Sequence, residues 1–350
     1  MNNLSLTHSK SKVHSLLIGG MLVFLLVLGL FSLSKGAFTI SFAQVVSILF
    51  PLDWAPYEAQ QVNVLYSIRL PRILMATLIG GGLGIAGASL QGLFRNPLVE
   101  PGLIGVSSGS ALFAVIFLVL IPTLTQAFGL ISTVGLPFFA FLGGLVHVLA
   151  VYYLGGRGKS DTATLILAGV AINALAGALI GLTLFYADDA ALRSFTFWSL
   201  GDLGGSTWAK VPLAALLILL PSLILFGESK NLNALSLGEQ EAFHMGVNVK
   251  QTKIKLLTLT ALIVGVGVAF TGMIGFVGLI VPHLIRIGFG ADHRLVLPAS
   301  FLLGAILLNV ADLIGRTWVA PAELPIGVIT ALLGAPFFIA LIFQLHKSKN

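Results

Sequence analysis

Three arginines stand out as groups that could do chemistry, because each lies where a long apolar segment meets a polar turn. Arg69 and Arg72 occur in SIRLPRIL, and Arg316 occurs in DLIGRTWVAPAELP. Cations at the mouths of different helices can receive carboxylates from a docking protein. Long basic side chains can also extend toward lipid headgroups, so the spacing leaves both roles open.

Two polar residues fall inside apolar segments, where they should face the interior of a helix bundle. Asp312 and Asn173 are surrounded by apolar sequence, and such groups are costly in a membrane. Asp312 precedes Arg316 by four residues, a spacing that favours an ion pair on one helix face. We therefore expect a structural pair in preference to a proton relay, although a proton-driven carrier that uses Asp312 or Asn173 stays a rival hypothesis.

A break rich in proline and serine follows Arg95 in the stretch RNPLVEPGLIGVSSGSAL. Pro97 and Pro101 lack amide donors and disfavour helix at the preceding residue, so one helix should stop here and the next should start at Gly102. Backbone groups freed inside a membrane persist only where protein or a water-filled cavity satisfies them. A packing kink is one reading of the break. The other is a pathway, which these side chains would line: Ser107, Ser108, Ser110 and Asn173.

The longest polar stretch, residues 228–253, reads ESKNLNALSLGEQEAFHMGVNVKQTK. The spacing of Glu239, Glu241 and His244 predicts a short amphipathic helix that ends at Gly246 in a C-capping role. Such a helix could lie on a partner protein. A solvated connection between two helices is the alternative.

Patterns for catalysis and for metal binding are missing from the sequence. The chain has no Cys, which excludes thiolate metal sites and cysteine nucleophiles. It also lacks G-x-x-x-x-G-K-[ST], a catalytic triad and a carboxylate cluster. His283 and His293 have no acid spaced to complete a metal site, and His147 should pack within a helix. We expect no catalytic residue, cofactor or metal in this chain, so the energy for any work must come from another subunit or an ion gradient.

Composition indicates which elements must position these residues. The chain has 350 residues, of which 57% are apolar and 9% charged, with a mean hydropathy of +1.02. A soluble domain carries about 25% charge, so lipid must be the solvent for most of the surface. The net charge of +6 does not indicate nucleic acid, because the basic residues never gather into one patch. With no linker or low-complexity tract, residues 1–350 should form one all-α polytopic membrane unit.

About ten transmembrane helices fit the pattern, since a hydrocarbon core about 30 Å thick needs about 20 apolar residues. The first apolar run follows Lys10 and Lys12. It exceeds a signal-peptide h-region of about 7–15 residues and no A-x-A site follows, so we interpret it as a span. The predicted helices, of which the third and eighth are short or broken, cover 14–34, 62–92, 102–121, 134–154, 161–186, 207–227, 254–274, 276–289, 295–315 and 325–345.

The distribution of lysine and arginine over the loops predicts the orientation. With the N-terminus in the cytoplasm, most of the 19 basic residues fall on the cytoplasmic side. This excess supports ten spans with both termini in the cytoplasm. The six basic residues that fall outside are Lys35, Arg69, Arg72, Arg193, Lys210 and Arg316.

The motifs resemble those of the FecCD-type permeases of bacterial ABC importers, a family that takes up iron-siderophores, haem and vitamin B12. The resemblance runs from about residue 60 to 345. It rests on five motifs in the family's order, a combination that is highly specific. They are RLPR (69–72), GASLQGLFRNPLVEPGLIGVSSG (87–109), SLGEQEAFHMGVNV (236–249), GFVGLIVPHLIR (275–286) and APAELPIGVITALLGAPFFIALI (320–342).

The resemblance implies a type II ABC importer permease fold, a homodimer and a location in the bacterial inner membrane. Two ATP-binding subunits would carry ATP and Mg on the cytoplasmic side, and a substrate-binding protein would dock outside. Arg69, Arg72 and Arg316 match positions that receive acidic residues of that protein. Residues 236–249 are similar to the family's coupling helices, where the positions expected to contact the ATPase are Leu237, Gly238, Glu239, Ala242, Gly246 and Val247.

Two segments bear on the cargo. Residues 167–208 and 273–288 look closest to the haem permeases, since siderophore permeases more often have Ser where this chain has Gly275. Haem is therefore the expected cargo, with a ferric siderophore and then vitamin B12 as alternatives. Asp202 departs from the family's pattern, which has Ser or another small polar residue there, and the sequence alone offers no reason for it.

Overall fold

The computed structural model describes residues 2–50, 52, 54–120, 129–155 and 162–347. Within that part of the chain every regular element is a helix and no strand occurs. A π-helical segment (Val64–Arg69) leads into α4, and a 3-10 helix (Pro101–Ile104) precedes α5. The α-helices are α1 (Asn2–Ser34), α2 (Phe42–Leu49), α3 (Ala59–Asn63), α4 (Leu70–Phe94), α5 (Val106–Leu120), α6 (Gly129–Leu154), α7 (Thr162–Phe185), α8 (Asp189–Ser199), α9 (Val211–Gly227), α10 (Ser229–Leu237), α11 (Glu239–His244), α12 (Val249–Thr271), α13 (Val277–Phe289), α14 (His293–Thr317) and α15 (Ile326–Lys347).

Six helical segments among the described residues are long and apolar enough to cross a membrane. A seventh arises if α9 and α10, which are bent by 54° at their junction, form one broken span. Three shorter apolar helices are α5, α13 and the first part of α15. Each of the ten predicted segments therefore coincides with a helix. The six long segments are Val13–Ser34, Ala59–Phe94, Gly135–Leu154, Thr164–Phe185, Val249–Thr271 and His293–Thr317.

Helix α4 is the central element, and its glycines determine how closely its neighbours approach. A Cβ added at Gly84 would collide with the carbonyl oxygen of Ser300 in α14, and one at Gly87 would collide with the carbonyl of Gly278 in α13. Without a hydrophobic driving force between helices in lipid, association depends on such close packing of small residues. The Gly-rich run of α4 therefore fixes α13 and α14 on two of its sides.

The predicted break after Arg95 is present. Arg95 itself has a left-handed φ of 51°, and its N–H and that of Asn96 bond back to Gly92 and Gln91. The chain restarts as a 3-10 helix at Pro101, one residue before the predicted position, and α5 proper begins only after Gly105, whose φ is 85°. The short α5 follows from this interruption.

A second break separates α12 from α13. Gly272 has a φ of 70°, and a Cβ there would collide with the carbonyl of Trp198. Phe276 also has a positive φ of 68°, and its N–H donates to the Glu100 carboxylate over 3.0 Å. The two interrupted regions of the bundle thus contact each other.

The predicted orientation concerns some residues that the structure does not cover. Arg157, Lys159 and Lys349, which count toward the cytoplasmic excess, lie outside the described residues. The orientation stays a prediction at this point. Two opposite ends of the bundle are nevertheless distinct, because α4 and α14 pair Arg72 with Asp312 at one end and Gly92 with His293 at the other. We call the first the arginine end and the second, which carries residues 228–253, the loop end.

Candidate functional sites at the two ends of the bundle

At the arginine end, two guanidinium groups cap the last turn of α1. Arg316 donates to the carbonyls of Ser32 over 2.6 Å and Lys35 over 2.7 Å. Arg69 donates to the carbonyl of Leu33 over 2.6 Å. The last four carbonyls of a helix lack intrahelical partners and carry the negative end of its dipole. Since α1 has no basic residue in its own last turn, these cations come from the start of α4 and the end of α14.

The third arginine of this end, Arg72, joins two carboxylates. Its Nε lies 2.8 Å from Asp312 Oδ1 and its Nη1 lies 2.8 Å from Glu323 Oε2. Asp312 Oδ2 lies 3.4 Å from Arg316 Nε, so the predicted i,i+4 ion pair is confirmed. The shorter contact of Asp312, to Arg72, was missed by the sequence analysis because the two residues are 240 positions apart.

The arginine cluster, defined as Arg69, Arg72, Arg316, Asp312 and Glu323, has three cations and two carboxylates and thus one excess positive charge. The three arginines are buried, with exposed fractions of 4%, 9% and 5%. The Glu323 side chain is 47% exposed, so it is the group of the cluster that solvent reaches best. The predicted docking residues are therefore brought together, but beneath the surface and with internal partners, and their docking role stays a prediction.

Beside the cluster lies an open cleft of about 540 Å³, and Glu323 of the cluster is among its lining residues. Asp202 lies in its wall, and its N–H donates to the carbonyl of Thr271 at the end of α12 over 2.8 Å. Lys210 donates to the Gly205 carbonyl over 2.7 Å and faces the same cleft. The remaining lining includes three aromatic rings and one acid of the arginine cluster: Phe197, Trp198, Phe270 and Glu323.

The polar side chains near the break between α4 and α5 satisfy backbone groups. Asn173 in α7 donates to the Gly102 carbonyl over 3.2 Å and also contacts the Ser108 hydroxyl. Ser107 borders a cavity of about 20 Å³, the size of a water molecule. Ser110 is buried against Gly144 of α6. The structure thus joins Asn173 to Ser108, whereas Ser107 and Ser110 have different surroundings, and a pathway role for any of these side chains stays a prediction.

At the loop end, α11 is the short helix that the polar stretch predicts. Gly246 has a φ of 86°, its N–H bonds to Phe243, and the N–H of Val247 bonds to Ala242. These bonds define a Schellman motif, so the capping role predicted for Gly246 is confirmed. Ala242 is fully buried against the bundle. Three large apolar side chains nevertheless point away from it with more than 60% exposure: Leu237, Phe243 and Met245.

Polar contacts between side chains attach the loop to the membrane helices. Lys253 and Lys255 of α12 lie 2.7 Å from the carboxylates of Glu239 and Glu228, respectively. Asn233 of α10 donates to Asp292 over 2.7 Å at the start of α14. Burial would raise the pKa of Asp292, but hydrogen bonds from Arg294 and Asn233 outweigh it, so the pKa is lowered. No local spacing relates these partners, which lie 14 to 59 positions apart, so the sequence does not predict them.

Two buried histidines, His147 and His293, each have a polar partner for one ring nitrogen. Nδ1 of His147 lies 3.0 Å from the carbonyl of Gly143, one turn earlier in α6, and the ring packs on Gly109. This agrees with the predicted packing role. Nδ1 of His293 lies 2.8 Å from the side-chain oxygen of Asn233. Among the described residues, no three His, Asp or Glu side chains are placed to hold a metal ion.

The long apolar spans and the two polar ends define a helical, membrane-embedded protein, and comparisons with known proteins identify its kind. Residues 24–344 match the FecCD transport family. The hemin transport system permease protein HmuU of Yersinia pestis is 42% identical over 96% of this chain and 97% of that protein. The vitamin B12 import system permease protein BtuC of Vibrio cholerae is 40% identical over 84% and 86%.

A solved structure described as an inward-facing conformation of a metal-chelate type ABC transporter is also similar. Its TM-score is 0.81 at 34% identity, and the match covers 93% of this chain and 98% of that one. The chain belongs to the FecCD transport family. It is a membrane-embedded ABC importer permease, a class that works with ATP-binding subunits.

Replacing Asp312 by Asn should destabilise the protein strongly. The change leaves two buried guanidiniums with one carboxylate, and removing one partner of a buried pair costs about 3–5 kcal/mol. Glu323→Gln should cost less than about 1 kcal/mol, because that pair is half-exposed. Thermal unfolding of the purified variants in detergent measures both. Equal losses for the two variants would contradict the buried role of Asp312.

Proposed function

We propose that this chain is the permease subunit of an ATP-driven importer for haem. The observation that carries the proposal is the 42% identity, over nearly the full length of both chains, to a hemin permease. The cleft at the arginine end supports it, since its lining combines three aromatic residues, Phe197, Trp198 and Phe270, with the cation of Lys210, a composition that suits a flat aromatic chelate with carboxylates. Vitamin B12 and ferric siderophores are the rival cargoes, because a B12 permease is 40% identical over a shorter part of the chain.

The proposed topology has ten spans in a bacterial inner membrane, with both termini and the loop end in the cytoplasm. Six of these spans are the long helical segments, three are the shorter apolar helices, and the tenth is the bent pair α9–α10. Broken helices at membrane depth are tolerated where protein satisfies the freed backbone groups, as Asn173 and Glu100 do here. The loop end carries the excess of Lys and Arg, and under the positive-inside rule that end would face the cytoplasm.

The energy source in this proposal is ATP, bound with Mg to two partner subunits at the loop end. Leu237, Phe243 and Met245 are exposed apolar side chains on a short polar loop, as expected of a surface that a partner covers. The coupling positions Gly238, Glu239, Ala242, Gly246 and Val247 begin, build and end α11, which carries Phe243 and is flanked by Leu237 and Met245. A proton-driven carrier gains no support, because Asp312 is held between Arg72 and Arg316 and Asn173 bonds to Gly102.

Transport by the reconstituted complex tests the cargo. Proteoliposomes that contain the permease, its ATP-binding subunits and its binding protein should take up haem in an ATP-dependent manner. Loading the binding protein in turn with haem, a ferric siderophore or cobalamin separates the three cargoes. Uptake of the siderophore alone would retain the importer and reject haem. ATP-independent uptake driven by a pH gradient would reject the importer itself.

A second copy of the chain is proposed to cover one face of α7. Only 17% of the apolar window of this helix is buried, against 89% for the span that contains α4. No heavy atom of the described residues lies near a Cβ built at Gly177 or Gly181, and Ala174 and Ala178 are exposed on the same side. Small residues spaced by four positions allow another helix to approach closely. A homodimer is therefore the proposed state.

Cysteine cross-linking tests this contact, and the chain has no native Cys to interfere. Ala174→Cys or Ala178→Cys should yield an oxidant-dependent dimer in native membranes, because a disulfide requires Cα atoms within about 7 Å. Gly19→Cys on α1 is the control, since that position is also open but is not on the proposed face. Cross-linking at Gly19 without any at α7 would contradict the contact.

The arginine cluster is proposed to attract a substrate-binding protein with acidic side chains. Arg69 and Arg316 contribute their charge while they cap α1, and Arg72 makes the direct contact. The half-exposed Glu323 is already paired with Arg72. A carboxylate of the docking protein would therefore have to replace the Glu323 carboxylate in that ion pair. The excess positive charge of the cluster favours that exchange.

Glu323→Gln should therefore tighten docking of the binding protein several-fold at low salt, and Arg72→Gln should weaken it. The charge effect should shrink as ionic strength rises, because salt screens exposed charges. Asp189→Asn removes the same charge from an exposed site in α8 and serves as the control. Surface plasmon resonance on the detergent-solubilised complex measures the three affinities. If Asp189→Asn tightened docking as much as Glu323→Gln, the gain would come from net charge alone, and the proposed exchange of carboxylates at Arg72 would be contradicted.

A further inference from the structure

Helix α12 is attached to the loop end by two ion pairs of equal length and different surroundings. Lys253 and Glu239 lie 2.7 Å apart, and so do Lys255 and Glu228. The Lys253 side chain is 7% exposed, whereas that of Lys255 is 50% exposed. The first pair is therefore the one in which a cation is withdrawn from solvent.

The two pairs also connect α12 to different elements. Glu228 caps the junction between α9 and α10, on the membrane side of the loop. Glu239 is the first residue of α11, the helix that presents Phe243 and Met245 to the partner. The Lys253–Glu239 pair therefore joins α11 directly to α12. The Lys255–Glu228 pair joins two elements that both belong to the membrane bundle.

The far end of α12 contacts the wall of the cleft. The carbonyl of Thr271 accepts the N–H of Asp202 over 2.8 Å, and Gly272 packs so closely on the backbone of Trp198 that it has no room for a side chain. Asp202, Trp198 and Thr271 all line the cleft at the arginine end. A helix of 23 residues spans about 35 Å, so α12 joins the partner-facing helix at one end to the cleft at the other.

We propose that Lys253 and Glu239 form a positioning pair that transmits movement of α11 along α12 to the cleft wall at Asp202 and Trp198. The inference rests on the proposed function, since it requires an ATP-driven partner at the loop end. Attachment of that partner depends on the exposed apolar side chains of α11, and transmission depends on the ion pair. Breaking the pair should then separate ATP hydrolysis from transport without detaching the partner.

The contacts of Lys253 explain why a single pair can serve this purpose. A charge-assisted hydrogen bond at 2.7 Å is directional and short. The buried ammonium has no second carboxylate among the described residues within ion-pair distance. If α11 moves, α12 must follow or leave a buried charge unpaired, which is strongly unfavourable. Lys255 is not constrained in this way, because water can reach its half-exposed ammonium, and the buried carboxylate of Glu228 keeps a second hydrogen bond, from Asn231 over 2.7 Å.

The test compares Lys253→Met with Lys255→Met in the complete complex in proteoliposomes. The readouts are retention of the ATP-binding subunits during purification, ATP hydrolysis, and cargo transported per ATP hydrolysed. Lys253→Met should retain the subunits and lower the transport ratio about tenfold, within the usual range of coupling between distant sites. Lys255→Met should leave the ratio within about twofold of the unmodified complex. The exchanged pair Lys253→Glu with Glu239→Lys should restore much of the ratio, because it re-forms the ion pair with reversed polarity.

Three outcomes overturn the inference. An unchanged ratio in Lys253→Met shows that the pair does not transmit movement. An equal fall in Lys255→Met shows that any charge removed from α12 has the same effect. Loss of the ATP-binding subunits from Lys253→Met and from the exchanged variant shows that the pair shapes the partner's contact surface instead. Failure of the proposed function is distinguishable, because the unmodified complex would then show no ATP-driven uptake of any cargo.

Discussion

The rest of the structure depends on the close packing of α4 against α13 and α14. Gly80 faces Gly304, and Gly84 and Gly87 lie against backbone carbonyls with no room for a side chain. Lipid is as apolar as the helices, so backbone approach must supply the attraction that the hydrophobic effect supplies in water. This packing runs along most of α4. It places Arg72 beside Asp312 at one end and Gly92 beneath His293 at the other, so one contact positions the polar groups of both ends.

The buried charges at the arginine end constrain the position of α1 relative to α4 and α14. Two guanidiniums from α4 and α14 donate to carbonyls at the carboxyl end of α1. If α1 were shifted by one turn, the buried donors would lose their acceptors, which is costly where water cannot replace them. Between Val13 and Phe31, α1 has many exposed apolar side chains, so apolar packing alone would specify its position weakly. Arg69 and Arg316 therefore specify the axial position of α1 relative to α4 and α14, which apolar packing specifies only weakly.

Local physics made much of the fold predictable, and long-range pairing did not. Apolar length and the Gly and Pro breaks predicted a helix at each of the ten positions, and the i,i+4 spacing predicted the Asp312–Arg316 pair. Gly246 likewise predicted the end of α11. Arg72 and Asp312 are separated by 240 positions, and no spacing rule selects that pair among the other acids. The sequence also could not indicate that carbonyls of the last turn of α1 would engage the donors of Arg69 and Arg316.

The uneven burial of the helices indicates which contacts the chain leaves for other molecules. α1 and α7 are both poorly buried, at 22% and 17% of their apolar windows. The outer side of α1 carries large side chains such as Leu16, Phe24 and Leu26, which suit lipid. α7 also exposes large side chains such as Leu175 and Leu182, but one stripe along it carries the exposed Ala174, Gly177, Ala178 and Gly181, which suit another helix. In the proposed dimer the contact surface therefore lies on α7. The next helix, α8, contains Trp198, which lines the cleft. Under the proposed transmission along α12, movement of the cleft wall at Trp198 would pass through α8 to α7, which would couple the cleft to the proposed contact between copies.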